Sequence, residues 1–264
     1  MPFQGIASLS DWILAITLAM ARLYPCLLLI PLFSFHELKG MLRYAIVVIL
    51  GFIVAPGIFA ALPQDHSWIT LAGLYAKEAV LGLLLGAILS IPFWLFESVG
   101  SLFDNQRGAL MGGQLNPALG TDFTPLGFMM KQMLIVLIVT SGTLPVLLQI
   151  IWDSYAIWPP TLWFPAPAAD GMATYLGLLS DAFTNMVLYA VPLVGLLLFI
   201  EFGMALLSLY SPQLQAYILA MPLKCLSGIL FLALYIPNLL YLAGEKSQQW
   251  YHFSDTLKLI FRVP

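Results

Sequence analysis

Long apolar stretches separated by short polar ones set the pattern of this chain from end to end. Seven of them approach the roughly 20 residues a helix needs to cross a bilayer. They lie at 12–35, 44–62, 79–96, 132–152, 182–200, 202–223 and 225–244. The runs are continuous and Leu-rich rather than alternating, which excludes a membrane β-barrel. Lipid cannot satisfy exposed peptide groups, so the pattern predicts an all-α integral membrane protein, a kinked multi-helix bundle.

Proline interrupts most of these spans. The first carries Arg22, Pro25 and Pro31, the third Pro92, the fourth Pro145 and the fifth Pro192. The sixth holds Ser208, Ser211, Gln213 and Gln215 around Pro212, with Pro222 close behind. Each proline frees a carbonyl that a neighbouring helix, hydroxyl or water must satisfy, so packing mainly against protein is expected. Proline is also simply commoner in membrane helices than in soluble ones. Lys and Arg in the short loops give an orientation. Lys39 and Arg43 share one loop, Lys246, Lys258 and Arg262 the tail, and 153–181 has neither residue type. Seven alternating spans then place the N-terminus outside and the C-terminus inside, with Lys77 and Lys224 on the wrong side.

Composition agrees with the pattern. Of 264 residues, 61% are apolar and 9% charged, too few polar groups to cover a water-facing surface. A soluble enzyme, a nucleic-acid binder and a disordered linker are thereby excluded. The net charge of −3 makes no acidic or basic face. Cys26 and Cys225 sit in or beside apolar runs, as buried small hydrophobes rather than a disulfide framework. The opening MPFQGIASLSD has no basic residue, so no cleavable signal is expected. The chain reads as a single membrane-embedded domain, 1–264, with 245–264 as a cytoplasmic tail. Trp250, Tyr251 and Phe253 in that tail suit an interfacial anchor, or a partner contact.

The least membrane-like part of the middle is the segment 97–131, ESVGSLFDNQRGALMGGQLNPALGTDFTPLGFMMK. It has six glycines, two prolines and a compact Asp104-Asn105-Gln106-Arg107 cluster, so continuous helix is not expected there. Irregular backbone beside membrane spans is tolerated where protein buries it or where it lines a watery cavity. Leu110, Met111, Leu115, Leu119, Phe123 and Leu126 argue against disorder. Loops of this length tend to be functional.

No enzyme signature is present. His36-Glu37 begins like a zinc-protease motif, but Gly40 stands where the second histidine would be. His36, His66 and His252 lie in separate loops and form no metal site by spacing. Asp104 and Arg107, three apart, read as an ion pair more readily than as a catalytic pair. Among ionisable groups, Arg22 and Glu201 stand out as lying away from span ends. Glu201 separates two uncharged runs, marking a tight turn, a helix hairpin or a proton relay. Gly82 and Gly86 form a G-x-x-x-G that allows close backbone approach. A proton-coupled secondary transporter acting alone is the alternative function, although no internal repeat supports it.

Two segments carry a family resemblance. PFWLFESVGSLFDNQRGALMGG, 92–113, resembles the central segment of the FliR/SpaR family, and SPQLQAYILAMPLK, 211–224, its late segment. Length and hydropathy profile agree over essentially the whole chain. Gln215 stands where the family often has Asn. The Asp104–Ala109 form is closer to the injectisome branch than to the flagellar one. This family supplies the T subunit (the flagellar R component) of the type III secretion export apparatus.

The resemblance implies a structural, pore-forming subunit of a protein-conducting gate in the bacterial inner membrane, without cofactor, metal or catalytic residue. Implied partners are several copies of the small multi-pass P (R) and Q (S) subunits in a cone-shaped hetero-oligomer, the switch (U) subunit, and secreted proteins in transit. It also implies that the helices are raised largely out of the bilayer once assembled. Carried onto this sequence, the pore plug occupies 111–122, with Met111, Gly112, Gly113, Asn116, Pro117, Gly120 and Asp122. Asp104, Asn105, Gln106, Arg107 and Gly108 lie at its base, where Asp104 and Arg107 would anchor it by a charge-assisted hydrogen bond. Met111, Met129 and Met130 would form a soft seal, or merely fill core gaps. Pro212, Gln213, Gln215, Pro222 and Lys224 are the expected helix-packing or subunit-contact positions.

Overall fold

A computed structural model describes residues 2–33, 40–62, 67–108, 124–163, 171–211 and 216–260. Its α-helices are α1 (Pro2–Leu29), α2 (Met41–Ala61), α3 (Trp68–Arg107), α4 (Pro125–Thr140), α5 (Leu144–Ile157), α6 (Gly171–Tyr210), α7 (Ala216–Gln248) and α8 (Phe253–Ile260). Short 3-10 turns lie at Pro31–Phe33 and Gln249–His252, and no strand occurs among the described residues. The expected all-α membrane fold is present. Five helices are long and apolar enough to cross a membrane, and α4 with α5 makes a sixth span if the pair counts as one.

The seven expected spans therefore need correction. The fourth, 132–152, is interrupted after Thr140, where Gly142 takes a φ of 73° that ends the helix. The fifth and sixth merge in part: α6 runs unbroken through Glu201 and ends at Tyr210 instead. Glu201 needs no turn to reach solvent because side chains pair with it, as described below. Residues 97–107 and 125–131, assigned to a loop from sequence, are helical ends of α3 and α4. Val99 and Phe103 are buried there, so tertiary packing overrides the glycine and polar content.

The chain forms two compact units, Met1–Ile91 with Gly142–Leu178 and Gln248–Pro264, and Pro92–Ser141 with Leu179–Ser247. In the first unit, α1 buries Ala15, Leu18, Ala19, Leu23, Cys26 and Leu27, a stripe at helical spacing. It pairs with α2 at Gly51, which packs beside Met20 and Ala19, and through Trp12 stacked on Phe59 at 4.8 Å. On its other side α1 meets α3 backbone to backbone. A Cβ on Gly82 would collide with the Arg22 carbonyl oxygen, and one on Gly86 would sit 2.7 Å from that of Cys26. The G-x-x-x-G spacing read from sequence is thus a real helix crossing.

Arg22 is buried at this crossing, 1% exposed. Its Nε donates to Glu78 Oε2 at 2.6 Å, Nη1 to the Ser154 carbonyl at 2.8 Å and Nη2 to the Trp158 carbonyl at 2.8 Å. The guanidinium also stacks over the Tyr155 ring, 4.2 Å from its centroid. It therefore adds charged donors to carbonyls at and just beyond the end of α5, the Ser154 carbonyl also accepting the Trp158 N–H, with its charge at the favourable pole of the helix dipole. Lys77 acts in the same way just beyond, donating to the carbonyls of Pro160 and Leu162 and pairing with Glu78 at 2.9 Å. A buried charge is tolerable only when paired and hydrogen-bonded, and Arg22 is both.

Residues 245–248 continue α7, and Trp250, Phe253, Leu257 and Ile260 are buried in the first unit. By contrast, α2, α6 and α7 expose large apolar residues along their length, Ile53, Phe183, Phe199, Phe202 and Leu230 among them. Such surfaces belong in lipid or against protein.

The close crossing yields a sharp expectation. Gly82→Leu puts a side chain where only backbone lies, which no rotamer can relieve, and should abolish accumulation of folded protein in membranes. Gly57→Leu, with nothing within 4 Å of the new Cβ, should accumulate as wild type. Immunoblots of membrane fractions distinguish the two.

Candidate functional site

The second unit holds the junction where α3 ends and α4 begins. Four levels of contact tie these two helix ends together. Glu97 on α3 pairs with Lys131 on α4 at 2.7 Å. Gly100 and Gly127 then allow the backbones to touch: a Cβ on Gly100 would lie 2.6 Å from the Leu126 carbonyl oxygen. Ser101 and Thr124 share a hydroxyl–hydroxyl hydrogen bond of 2.8 Å. Asp104, fully buried, completes the series.

Asp104 does two jobs with its two oxygens. Oδ1 accepts from Arg107, 2.8 Å from Nε and 2.6 Å from Nη2, one turn along α3. Oδ2 accepts the Leu126 N–H at 2.7 Å. That amide is one of the unpaired donors at the start of α4, and the side chain of Thr124, the residue preceding the helix, does not cap it. A carboxylate from another helix therefore supplies the cap, with the charge preferred at a helix N-terminus. Pro125 fits the first helical position because its missing N–H is no loss there.

The end of α3 is held from α7. Lys224, nearly buried, donates to the Gln106 carbonyl at 3.1 Å and pairs with Glu201 at 3.2 Å. Gln106 Nε2 also donates to Glu201 at 3.2 Å. A cation thus meets a helix C-terminus here, as Arg22 does at α5. The Cys225 thiol contacts the Arg107 carbonyl at 3.6 Å, and Gly108, with φ of 83°, terminates the helix. Lys224 and Glu201, with Asn105, Gln106, Gly108, Ala220 and Met221, line a cavity of about 450 Å³.

Of the site residues expected from sequence, Asp104, Asn105, Gln106, Arg107 and Gly108 lie together at this junction, and the Asp104–Arg107 hydrogen bond has the expected partners. Met111, Gly112, Gly113, Asn116, Pro117, Gly120 and Asp122 lie outside the described residues, as do Pro212, Gln213 and Gln215. Pro222 is exposed on α7, while Lys224 is engaged within the chain. Met130 is buried in the core and Met129 is exposed on α4. Sequence reading missed the Leu126 amide and the Glu97–Lys131 pair. Opposite charges bracketing a broken segment were the available signal.

A multi-pass helical protein, with two helix ends bound tightly at one junction on either side of a stretch containing Gly, Asn and Pro, is the class these features define. Residues 13–250 match the family model for bacterial export proteins, family 1, and the chain belongs to that family. It is 34% identical to Yop proteins translocation protein T of Yersinia pestis over 234 residues, 88% of this chain and 90% of the relative. It is 28% identical to surface presentation of antigens protein SpaR of Salmonella typhimurium, over 84% of this chain and 83% of that one. The flagellar biosynthetic protein FliR of Caulobacter vibrioides is more distant, 21% identical over 82% and 86%. The resemblance drawn from the two motifs therefore holds, and the injectisome branch is favoured over the flagellar one. The protein is a multi-pass inner-membrane component of a type III secretion export system.

Removing the cap tests the junction. Asp104→Ala leaves the Leu126 amide and Arg107 without their acceptor and should lower stability by about 1–3 kcal/mol. Asp104→Asn, whose amide oxygen can still accept from Leu126, should lose less. Thermal unfolding in mild detergent followed by circular dichroism measures both.

Proposed function

We propose that this chain is a structural, pore-forming subunit of the type III secretion export gate, through which unfolded proteins cross the bacterial inner membrane. One observation carries the reading: in a member of an export family, the segment 109–123 starts and ends at a junction bound by Asp104. A resting gate must block ions yet later pass a polypeptide. A plug with three glycines and Asn116-Pro117 suits that task, because few apolar anchors leave it cheap to displace. A firm base under a weakly held plug keeps displacement local. The export-apparatus relatives support a hetero-oligomer as the working form. Its small P (R) and Q (S) subunits, with the switch (U) subunit, would cover the apolar faces of α2, α6 and α7.

The transporter alternative required Glu201 or Arg22 for ion movement. Glu201 is engaged by Lys224 and Gln106, and Arg22 by Glu78 and the α5 carbonyls, arrangements suited to holding helices in place.

Deleting residues 111–122 should leave the chain in its hetero-oligomer while making cells permeable to ions and small solutes. Permeability is read by dye uptake and membrane-potential probes in cells with the whole apparatus, and assembly by co-purification. Unchanged permeability in a fully assembled complex would refute the plug assignment.

A further inference from the structure

The first unit encloses a cavity of about 290 Å³ unconnected with any step described above. Its walls come from Leu81, Leu85 and Ile88 on α3, Ile157 on α5, Gly171 and Tyr175 on α6, and Leu257 and Ile260 on α8. Leu84 and Met172, 40% and 70% exposed, lie at its edge and mark the way in. An apolar space of this kind does not hold water, which finds too few polar partners there. Its volume equals the share of about ten liquid water molecules, ~30 Å³ each, which leaves room for a stretch of hydrocarbon chain. Leu81 to Ile88 runs about 10 Å along α3 at 1.5 Å per residue, so the space is elongated enough for a chain rather than a compact ligand.

One charged residue, Arg22, touches the cavity, and it decides what kind of chain fits. Nε is taken by Glu78, Nη1 by the Ser154 carbonyl and hydroxyl, and Nη2 by the Trp158 carbonyl. An incoming carboxylate would have to break that set, so a free fatty acid buried head-first is disfavoured. A hydrocarbon chain whose polar end stays outside meets no such cost. Both α3 and α6, which carry Leu84 and Met172, are long and apolar enough to cross a membrane, so lipid tails are the abundant local source.

We propose that this cavity binds one acyl chain of a membrane phospholipid, inserted between α3, α5 and α8 with its headgroup outside the protein. The bound chain fills the space under α8 and holds this C-terminal helix against α3 and α5. The inference stands independently of the secretion reading, since it rests on the first unit and on membrane residence alone.

The test uses the full chain purified from bacterial membranes in mild detergent with its co-purifying subunits. Native mass spectrometry of the released chain should show one phospholipid-mass adduct that survives detergent removal. Leu84→Trp, which narrows the entrance, should reduce that occupancy at least fivefold, whereas Ile49→Trp, exposed on α2, should not. As a second measurement, vesicles of phosphatidylcholine brominated at mid-chain should quench the wild-type tryptophan emission. Trp158→Phe should remove part of the quenched signal, because Trp158 lines the cavity. No adduct, equal occupancy in wild type and Leu84→Trp, an adduct of fatty-acid mass, or identical quenching in Trp158→Phe would each overturn the proposal.

Discussion

Helix ends buried away from water must find partners for their unpaired peptide groups, and in this chain charged side chains from other helices supply many of them. Arg22 of α1 closes the end of α5, Lys224 of α7 closes the end of α3, and Asp104 of α3 opens α4. In each case the sign of the charge matches the pole of the helix dipole it meets. Broken helices are tolerated at membrane depth only where protein satisfies the freed groups.

That constraint explains why intramembrane charge was hard to interpret from sequence. Arg22 and Glu201 stood out correctly as ionisable groups away from span ends, but a charge placed for transport and one placed to close a helix end look alike in one dimension. Glu78 is fully buried beside Arg22. The distinction lies in the partners, 56 residues away for Glu78 and 23 for Glu201 with Lys224, and spacing along the chain does not report them.

The fold class was fully legible in the apolar runs, while boundaries were not. Span length alone cannot distinguish one 40-residue helix such as α6 from two spans meeting at a charge, because Leu-rich runs carry no mark of a turn. The Gly82–Gly86 spacing was legible as an approach and is one, since close backbone contact has only one chemical solution. The polar cluster at 104–107 was legible as a site because compact charge in an apolar chain needs a reason. Its link to the Leu126 amide was not, since a backbone donor has no residue code. The two helix ends that this junction joins flank residues 109–123, in a chain of the bacterial export family.

The central claim is that the segment between α3 and α4 lies in the path of the exported polypeptide. A photo-crosslinking amino acid placed at Asn116, in cells exporting a substrate fused to a domain that stalls in transit, tests it most directly. Expected is a covalent adduct between this chain and the stalled substrate, absent when the same amino acid replaces Ile49 on the outer face of α2. Crosslinks from Asn116 to apparatus subunits alone, while the substrate is demonstrably stalled in the apparatus, would contradict the claim.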